Sequence, residues 1–247
     1  MIHKIAIIGN GKVGTFLSKA FADMGLDVSV YARNPKSAAQ KKLSELGDDS
    51  DLCLICIADR NIAELTKCIP AQKGILAHSS GTVPLEALDI RHPHRGIFYP
   101  LMSLQAESEV DIQSIPFCLE ASSNSILNQL ESWAQSLDLS FYEIDSKKRK
   151  QLHLAAVISH NFSNYLYHWA WQVLQKADID FEILKPLLSQ QVKGLSTADP
   201  ILNQTGPAVR GDLNTIKAHQ ELLENPELAD LYQKLSTLIQ QSNEKEL

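Results

Sequence analysis

A glycine-rich stretch near the start of the chain, GNGKVG, constrains the fold more than any other part of the sequence. Its glycines are Gly9, Gly11 and Gly14. They follow the apolar residues 5–9 and precede a stretch in which apolar residues recur at helical spacing, and a second β-rich run occupies residues 27–32. A strand, a tight turn, a helix and a second strand in this order predict a parallel βαβ unit.

Each glycine of this turn has a steric reason to be there. Gly9 permits the tight turn, Gly11 lets the main chain approach a pyrophosphate, and Gly14 allows the helix to pack closely on the strand. The free N–H groups at the start of the helix attract negative charge. We predict that this segment binds a dinucleotide; the alternative is a glycine-rich turn without a ligand. The predicted cofactor-binding residues here are Gly9, Asn10, Gly11, Lys12, Val13 and Gly14.

The end of the second strand carries a cation where many nucleotide-binding proteins have a carboxylate. An NAD site normally offers Asp or Glu to the ribose 2′-hydroxyl at this point. This chain has Arg33 and Asn34, followed by Lys36. A guanidinium can bind a 2′-phosphate through charge-assisted bonds, so Arg33 and Asn34 are predicted cofactor-binding residues and NADP is the predicted cofactor. The alternative is that Arg33 is an ordinary surface cation.

Further strands and helices define the fold class. Five more β-rich runs lie at residues 52–58, 74–80, 96–101, 116–121 and 140–144. Strands that alternate with helices predict a mostly parallel sheet covered on both faces. From Gln151 onward only helical periodicity is found, at residues 151–176, 180–195, 212–224 and 227–241. We therefore predict an α/β fold, with a doubly wound, mostly parallel Rossmann sheet in a domain 1–146 and an all-helical domain 147–247.

Composition excludes several classes of function. The chain has 247 residues, 44% of them hydrophobic, which is enough for a sizeable core, and a net charge of −6. This charge gives no general attraction to nucleic acid or to an anionic membrane, so neither is predicted as a partner. No apolar run approaches the ~20 residues of a membrane helix, and we predict a cytoplasmic location. Cys53 and Cys56 lie within a predicted strand and should point to opposite faces, so no metal is predicted.

Several polar residues have local structural interpretations. Asp59 is predicted to cap the short helix that starts near Asn61, with closure over the cofactor as the alternative, and Asp212 is predicted to cap the helix that begins near residue 213. Arg210 could hold a substrate carboxylate or pair with Asp212. The basic run 147–150 is interpreted as a solvated linker. Residues 198–211 form the one long irregular connection that the sequence predicts.

Polar side chains on the first long helix of the second half are candidates for catalysis. At 100° per residue, His153, His160, Asn161, Asn164 and His168 fall on one face of an otherwise apolar helix. Reduction of a carbonyl or imine needs a proton donor in addition to the hydride of the nicotinamide. All five side chains are candidates for that donor, and their position on the helix does not choose between them. The alternative is that these side chains are hydrogen-bonded core residues or part of a dimer seam.

The ends of two other strands complete the predicted site. Ala58 follows the third clear strand, and the stretch HSSG follows the fourth, at the carboxyl edge where open parallel sheets bind ligands. Ser79 and Ala58 are therefore predicted to contact the cofactor, and His78 and Ser80 could also bond substrate or ribose. A polar turn without a ligand is the alternative for HSSG.

Taken together, these motifs resemble a bacterial family of Rossmann-like NADP oxidoreductases. The resemblance rests on GNGKVG, the Arg33–Asn34 pair, ICIADRNI (55–62), HSSG (78–81), LHLAAVISHN (152–161) and TGPAVRGD (205–212). The family joins a dinucleotide domain to a helical domain of unknown function. It is distantly similar to pyrroline-5-carboxylate reductases, deazaflavin-dependent NADP reductases and 6-phosphogluconate-dehydrogenase-like enzymes. His153 and Asn161 match the family's pattern, and on that resemblance we predict them as the catalytic residues. Tyr99-Pro100 stands where relatives often have His-Pro, and neither His92 nor His94 can be assumed to replace that histidine.

The resemblance implies an NADP-binding fold and a helical dimerisation domain, and hence a homodimer. We predict an NADP-dependent oxidoreductase that transfers a hydride between NADPH and a small carbonyl or imine substrate. Two alternatives remain open at this stage: a catalytically inactive NADP-binding sensor or regulatory protein, and a mainly structural dimer.

Overall fold

A computed structural model of the chain describes residues 2–103, 110–195 and 199–246, the last four without their side chains. Residue 198, where the predicted irregular connection begins, lies outside these ranges. In the described part, one sheet contains eight strands. They are β1 Lys4–Ile8, β2 Asp27–Ala32, β3 Gln40–Lys42, β4 Leu52–Ile55, β5 Ile75–His78, β6 Arg95–Pro100, β7 Phe117–Ala121 and β8 Phe141–Glu143.

The strands lie in the order β3-β2-β1-β4-β5-β6-β7-β8. All neighbours are parallel except β6 and β7, which are antiparallel. The chain starts near the middle of the sheet and winds outward in both directions, as in other doubly wound folds. The predicted α/β class with a mostly parallel sheet is therefore confirmed. The sequence did not predict the short strand β3.

Both faces of the sheet are covered because its central strands are apolar at nearly every position. In β1, Ile5 and Ile7 face one core together with Phe21, whereas Ala6 and Ile8 face a second core. Side chains alternate between the faces of a strand, so a strand buried on both sides has no polar face. The helices between the strands are α1 Lys12–Asp23, α2 Ile62–Cys68 and α3 Asn124–Ser136.

The two cysteines of CLIC lie on opposite faces, as predicted. Cys53 packs in the same core as Ala6, and Cys56 packs with Ile5 and Ile7 in the other. Burial raises the pKa of both thiols to about 12, so they remain protonated and unreactive at neutral pH. Among the described residues, no group of three histidine, cysteine, aspartate or glutamate side chains could hold a metal ion.

After β8 the described chain is helical. The helices are α4 Ser146–Ala156, α5 Ser163–Lys176, α6 Lys185–Lys193, α7 Leu213–Leu222 and α8 Pro226–Glu246, and a π-helical turn, Val157–Phe162, follows α4 directly. The first helix begins five residues earlier than predicted, because Asp145 caps it by accepting the N–H of Lys148 at 2.8 Å. The π-helical turn was also not predicted. Asp212 caps α7 through Thr215, as predicted.

The chain divides into two compact units, one ending at Asn161 and the other beginning at Phe162. The helical part nevertheless begins at Ser146, in the first unit. A boundary between residues 146 and 147 stays a prediction. None of the helices in the described ranges is long and apolar enough to span a membrane, and the cytoplasmic location also stays a prediction.

Candidate functional site

A cavity of about 670 Å³ lies at the carboxyl edge of the sheet, in the first unit. It extends over the ends of β2, β1, β4 and β5, four neighbouring strands. Most of the predicted site residues line it: Gly9, Asn10, Gly11, Lys12, Val13, Arg33, Asn34, Ala58, Ser79 and His153. Gly14 and Asn161 do not. The fold therefore brings together residues that are far apart in the sequence, at the edge where doubly wound sheets bind their ligands.

A second cavity of about 570 Å³ lies at the opposite edge of the sheet. Its lining includes Asp51, Gly74 and His94, which precede β4, β5 and β6, together with Trp133 of α3. None of the predicted site residues lines it. Because ligands of open α/β sheets bind at the carboxyl ends of the strands, the first cavity is the candidate site.

The glycine-rich turn has the tight geometry that the sequence predicts. Gly9 has φ +122°, and a Cβ atom there would lie 2.2 Å from the carbonyl oxygen of Cys56. A Cβ atom on Gly14 would lie 2.2 Å from the carbonyl oxygen of Gly9, so α1 could not approach the turn so closely with any other residue. At Gly11, by contrast, an added Cβ atom meets nothing within 4 Å. The main chain at Gly11 is open on the side where a ligand would approach.

The start of α1 is free to bind an anion. Gly11 is its N-cap residue, so no side chain caps the helix, and the first turn contains no acidic residue. The first N–H groups of a helix have no partner within it and carry the positive end of the helix dipole. A phosphate group accepts hydrogen bonds from these N–H groups, and its negative charge is attracted by the positive end of the dipole.

The loop after β2 is held against the glycine-rich turn. The side-chain NH₂ of Asn10 donates to the carbonyl oxygen of Asn34 and to Oε1 of Gln40, each at 3.0 Å. Oε1 of Gln40 also accepts the N–H of Lys36 at 2.8 Å. Sequence reasoning missed Gln40, because the polar strand β3 has none of the β-branched or aromatic residues that indicate a strand.

Arg33 is exposed at this loop and lines the cavity. Its guanidinium has neither an ion-pair partner nor a hydrogen-bond partner within the described ranges. Lys12 and Lys36 line the same cavity, so three cations and no described anion other than Asp59 face it. This distribution of charge favours an anionic ligand.

His153 meets a tyrosine that the sequence analysis did not assign to the site. The hydroxyl of Tyr99, on β6, lies 3.1 Å from Nδ1 of His153, and the two rings meet edge to face. Burial raises the pKa of Tyr99 to about 12. Gly81 lies against both side chains: a Cβ atom there would be 2.7 Å from Nδ1 of His153 and 2.8 Å from Cζ of Tyr99. The sequence pointed to Tyr99 only through the resemblance, as a departure from the family's pattern.

An ion pair anchors the helix that carries His153. Arg149 lies one turn before His153 on α4 and is fully buried. Its guanidinium pairs with Glu120 of β7 and donates to the carbonyl oxygen of Val83 at 2.6 Å. Ser146 donates to the same Glu120 carboxylate at 2.7 Å. The interpretation of run 147–150 as a solvated linker is therefore wrong for Arg149, because its partner lies on a strand far away in the sequence.

The HSSG turn uses two of its polar side chains internally. His78 is buried, its Nδ1 accepts the N–H of Ser80 at 3.2 Å, and burial together with the positive charge of Arg149 lowers its pKa to about 4. Oγ of Ser80 accepts the N–H groups of Thr82 and Val83. Ser79 donates a long bond of 3.3 Å to the carbonyl of Ile55 and also hydrogen-bonds the thiol of Cys56, and it lines the cavity.

Two other candidate residues, Asp59 and His92, form hydrogen bonds within the protein. Asp59 does not cap a helix as predicted; its carboxylate accepts the hydroxyl of Thr82 at 2.5 Å, which joins the loops after β4 and β5. Buried His92 accepts the N–H of Gln72 through Nδ1 at 3.2 Å, and its Nε2 lies 2.9 Å from the carbonyl oxygen of Thr66. Both nitrogens of His92 are thus used inside the core.

Asn161 lies in the π-helical turn and is exposed. The predicted polar face assumed 100° per residue, whereas a π-helix turns less per residue, so that face does not continue unchanged through Val157–Phe162. The catalytic role of Asn161 stays a prediction. Arg210 is exposed, and its positive charge is one cause of the lowered pKa of Asp212, after the bonds from Thr215.

Comparison with known proteins gives one family match and many similar folds. Residues 115–239 match a family described as a domain of unknown function, DUF2520. The crystal structure of the "putative NADP oxidoreductase BF3122" from Bacteroides fragilis is 32% identical, covers 97% of this chain and 98% of its own, and has a TM-score of 0.88. No significant match to a curated protein sequence is found.

Two further structures share the fold at lower identity. Protein TM1727 from Thermotoga maritima is 20% identical over 98% of this chain and 99% of its own, with a TM-score of 0.71. A reductive aminase from Aspergillus terreus, in complex with NADPH and ethyl levulinate, is 14% identical over 99% of this chain and 95% of its own, with a TM-score of 0.65.

Proposed function

The chain belongs to the DUF2520 family, and on that premise we propose that it is an NADP-dependent oxidoreductase which transfers a hydride between NADPH and a small carbonyl or imine compound. The observation that carries this proposal is a single cavity that places together the open glycine-rich turn, a histidine and Arg33, which has no partner among the described residues. The neighbouring strand ends that it covers, from β2 to β5, span three strand spacings, or about 14 Å. Such a cavity is long enough for an extended dinucleotide and not only for a small substrate.

The residues of the glycine-rich turn fit the pyrophosphate of NADP. The turn is tight because Gly9 and Gly14 have no Cβ atom. The open side of Gly11 leaves room for the phosphates, and the uncapped start of α1 supplies N–H donors. Lys12 and Val13, the first residues of α1, follow directly.

Arg33 is the proposed ligand of the 2′-phosphate. A guanidinium without a protein partner has no internal bond to give up when it binds a phosphate oxygen. The bonds from Asn10 to Asn34 and Gln40 hold the loop in place before the ligand arrives, so little ordering of the loop opposes binding. Lys36 adds positive potential nearby.

His153 is the proposed proton donor. When NADPH is bound, it supplies a hydride to the carbon of the carbonyl or imine. The oxygen or nitrogen of that group then needs one proton to complete the alcohol or amine, and His153 is the histidine that lines the cavity. Ser79 and Ala58 border the same space, between the glycine-rich turn and His153.

The relatives support the proposal at the level of cofactor and reaction class. The Bacteroides fragilis protein is described as an NADP oxidoreductase, and the Aspergillus terreus reductive aminase binds NADPH with a keto ester. The carbonyl or imine class of substrate for this chain is our extension of those descriptions.

We also propose that the chain forms a homodimer through its helical unit. Neither α5 nor α6 contains a buried residue, and many of their large apolar side chains are exposed. Leu187 and Val192 of α6 are 62% and 64% exposed, and Ile183, just before α6, is 69% exposed. Apolar surface of this extent usually marks an interface between chains.

Turnover tests the proposed function. The full chain is mixed with NADPH and a panel of 2-oxo acids and cyclic imines, and oxidation of NADPH is followed by its absorbance. We expect oxidation with at least one compound and little with NADH in place of NADPH. Tight binding of NADPH without turnover of any compound would instead favour an NADP-binding sensor. Failure to bind NADPH would contradict both functions.

A further inference from the structure

The two imidazole nitrogens of His153 have different surroundings, because only Nδ1 is hydrogen-bonded to Tyr99. Nδ1 lies against the tyrosine hydroxyl at 3.1 Å. Nε2 has no hydrogen-bond partner among the residues that the structure describes, and His153 lines the candidate cavity. The nitrogen left for a substrate is therefore Nε2.

We infer that Tyr99 is a positioning residue for His153: its hydroxyl donates to Nδ1 and so keeps the proton of the neutral imidazole on Nε2, the nitrogen available to the cavity. The hydrogen bond and the tautomer of His153 are properties of these two side chains alone. Their catalytic meaning rests on the proposed function, in which His153 donates a proton to the substrate.

The direction of the hydrogen bond follows from the partners of the hydroxyl group. Among the described residues, Nδ1 of His153 is its one hydrogen-bond partner, so donation to Nδ1 is the bond that satisfies the hydroxyl proton. Burial raises the pKa of Tyr99 to about 12, and the neighbouring Cys118 and Asp59 act in the same sense, while Arg149 acts against them. The phenol consequently keeps its proton at neutral pH and can donate it. A neutral imidazole has one donor and one acceptor nitrogen, so a donor at Nδ1 fixes the proton on Nε2.

The proton can also be replaced along this contact. As the proton on Nε2 moves to the substrate oxygen or nitrogen, the hydroxyl proton of Tyr99 moves to Nδ1. The imidazole then remains neutral, with one proton as before, and the negative charge lies on the oxygen of Tyr99 until water returns a proton to it. The positive charge of Arg149 stabilises the phenolate, because it lowers the pKa of Tyr99 relative to burial alone.

Gly81 makes the contact possible. A Cβ atom at this position would lie 2.7 Å from Nδ1 of His153 and 3.0 Å from the hydroxyl oxygen of Tyr99, close to both ends of the hydrogen bond. Such distances are shorter than normal van der Waals contact, so any side chain would force the two groups apart. Gly81 thus offers a second way to break the bond that leaves the hydroxyl in the protein.

Nitrogen NMR of the full chain with ¹⁵N-labelled histidine tests the inference without cofactor or substrate. At pH about 8 an ordinary histidine is neutral, and protonated and unprotonated ring nitrogens resonate far apart. The signals of His153 are assigned by their loss in His153→Gln. We expect the proton on Nε2 in the wild type, and a larger share of the form protonated on Nδ1 in both Tyr99→Phe and Gly81→Ala. Tyr142→Phe, an exposed tyrosine on β8, should leave the signals unchanged.

The outcomes separate this inference from the proposed function. A proton on Nδ1 of His153 in the wild type, or spectra that are the same in the wild type and Tyr99→Phe, would overturn the inference. Binding of NADPH by Tyr99→Phe is measured in parallel and should equal that of the wild type, which excludes a collapsed site as the cause. A wild type that shows the expected tautomer but does not bind NADPH would contradict the proposed function alone.

Discussion

The hydroxyl of Tyr99 lies 3.1 Å from Nδ1 of His153, although the two residues are 54 positions apart in the sequence. One is on a strand of the sheet and the other on the helix that follows the last strand. The buried pair of Arg149 and Glu120 fixes that helix one turn before His153. The position of the proposed proton donor thus depends on contacts with the sheet rather than on the helix alone.

His153→Gln should lower turnover of NADPH by ~100-fold or more while leaving NADPH affinity nearly unchanged, because proton donation acts only in the transition state. Steady-state rates and fluorescence titration measure the two quantities separately. His160→Gln changes an exposed histidine that does not line the cavity and serves as the matched control. Normal turnover in His153→Gln would remove this residue from the catalytic machinery.

Two glycine substitutions should affect different properties: one lowers stability, and the other weakens NADPH binding. Gly14→Ala places a methyl group 2.2 Å from the carbonyl of Gly9, so the free energy of unfolding should fall by ~1–3 kcal/mol in urea denaturation. Gly11→Ala has open space and an ordinary φ of −77°, so stability should stay within ~0.5 kcal/mol while NADPH binding weakens. Equal losses of stability in the two variants would contradict the geometry of the turn.

Arg149→Met should destabilise the first unit by about 3–5 kcal/mol, because it leaves the Glu120 carboxylate without its buried partner. Denaturation in urea measures this loss. The double variant Arg149→Met/Glu120→Gln removes the unpaired charge and should recover part of the stability. If the single variant is as stable as the wild type, the pair does not anchor α4.

The sequence predicts the strands of the central sheet well, because runs such as residues 52–58 are apolar throughout. It could not predict β3, whose polar residues form a strand only because β2 lies beside them. It also could not predict the burial of Arg149, since nothing local indicates a partner as distant as Glu120. The glycine-rich turn carries a local steric signature, whereas the partner of His153 depends on tertiary structure.

Light scattering tests the proposed homodimer. At micromolar concentration the mass should be about twice the 27.4 kDa of one chain, because the exposed apolar side chains of α5 and α6 need a covering surface. A mass equal to that of one chain would contradict the proposal.

The relative affinity of the wild type for NADPH and NADH, measured by fluorescence titration, tests the central claim most directly. A charge-assisted contact between Arg33 and the 2′-phosphate should give NADPH roughly a ten- to hundredfold preference, from about 1.5–3 kcal/mol. Arg33→Ala should abolish most of that preference and leave NADH binding almost unchanged, whereas Lys19→Ala, an exposed cation on α1 away from the cavity, should retain it. The preference should also shrink at high salt, because Arg33 is exposed. Equal affinities of the wild type for NADPH and NADH would contradict the account.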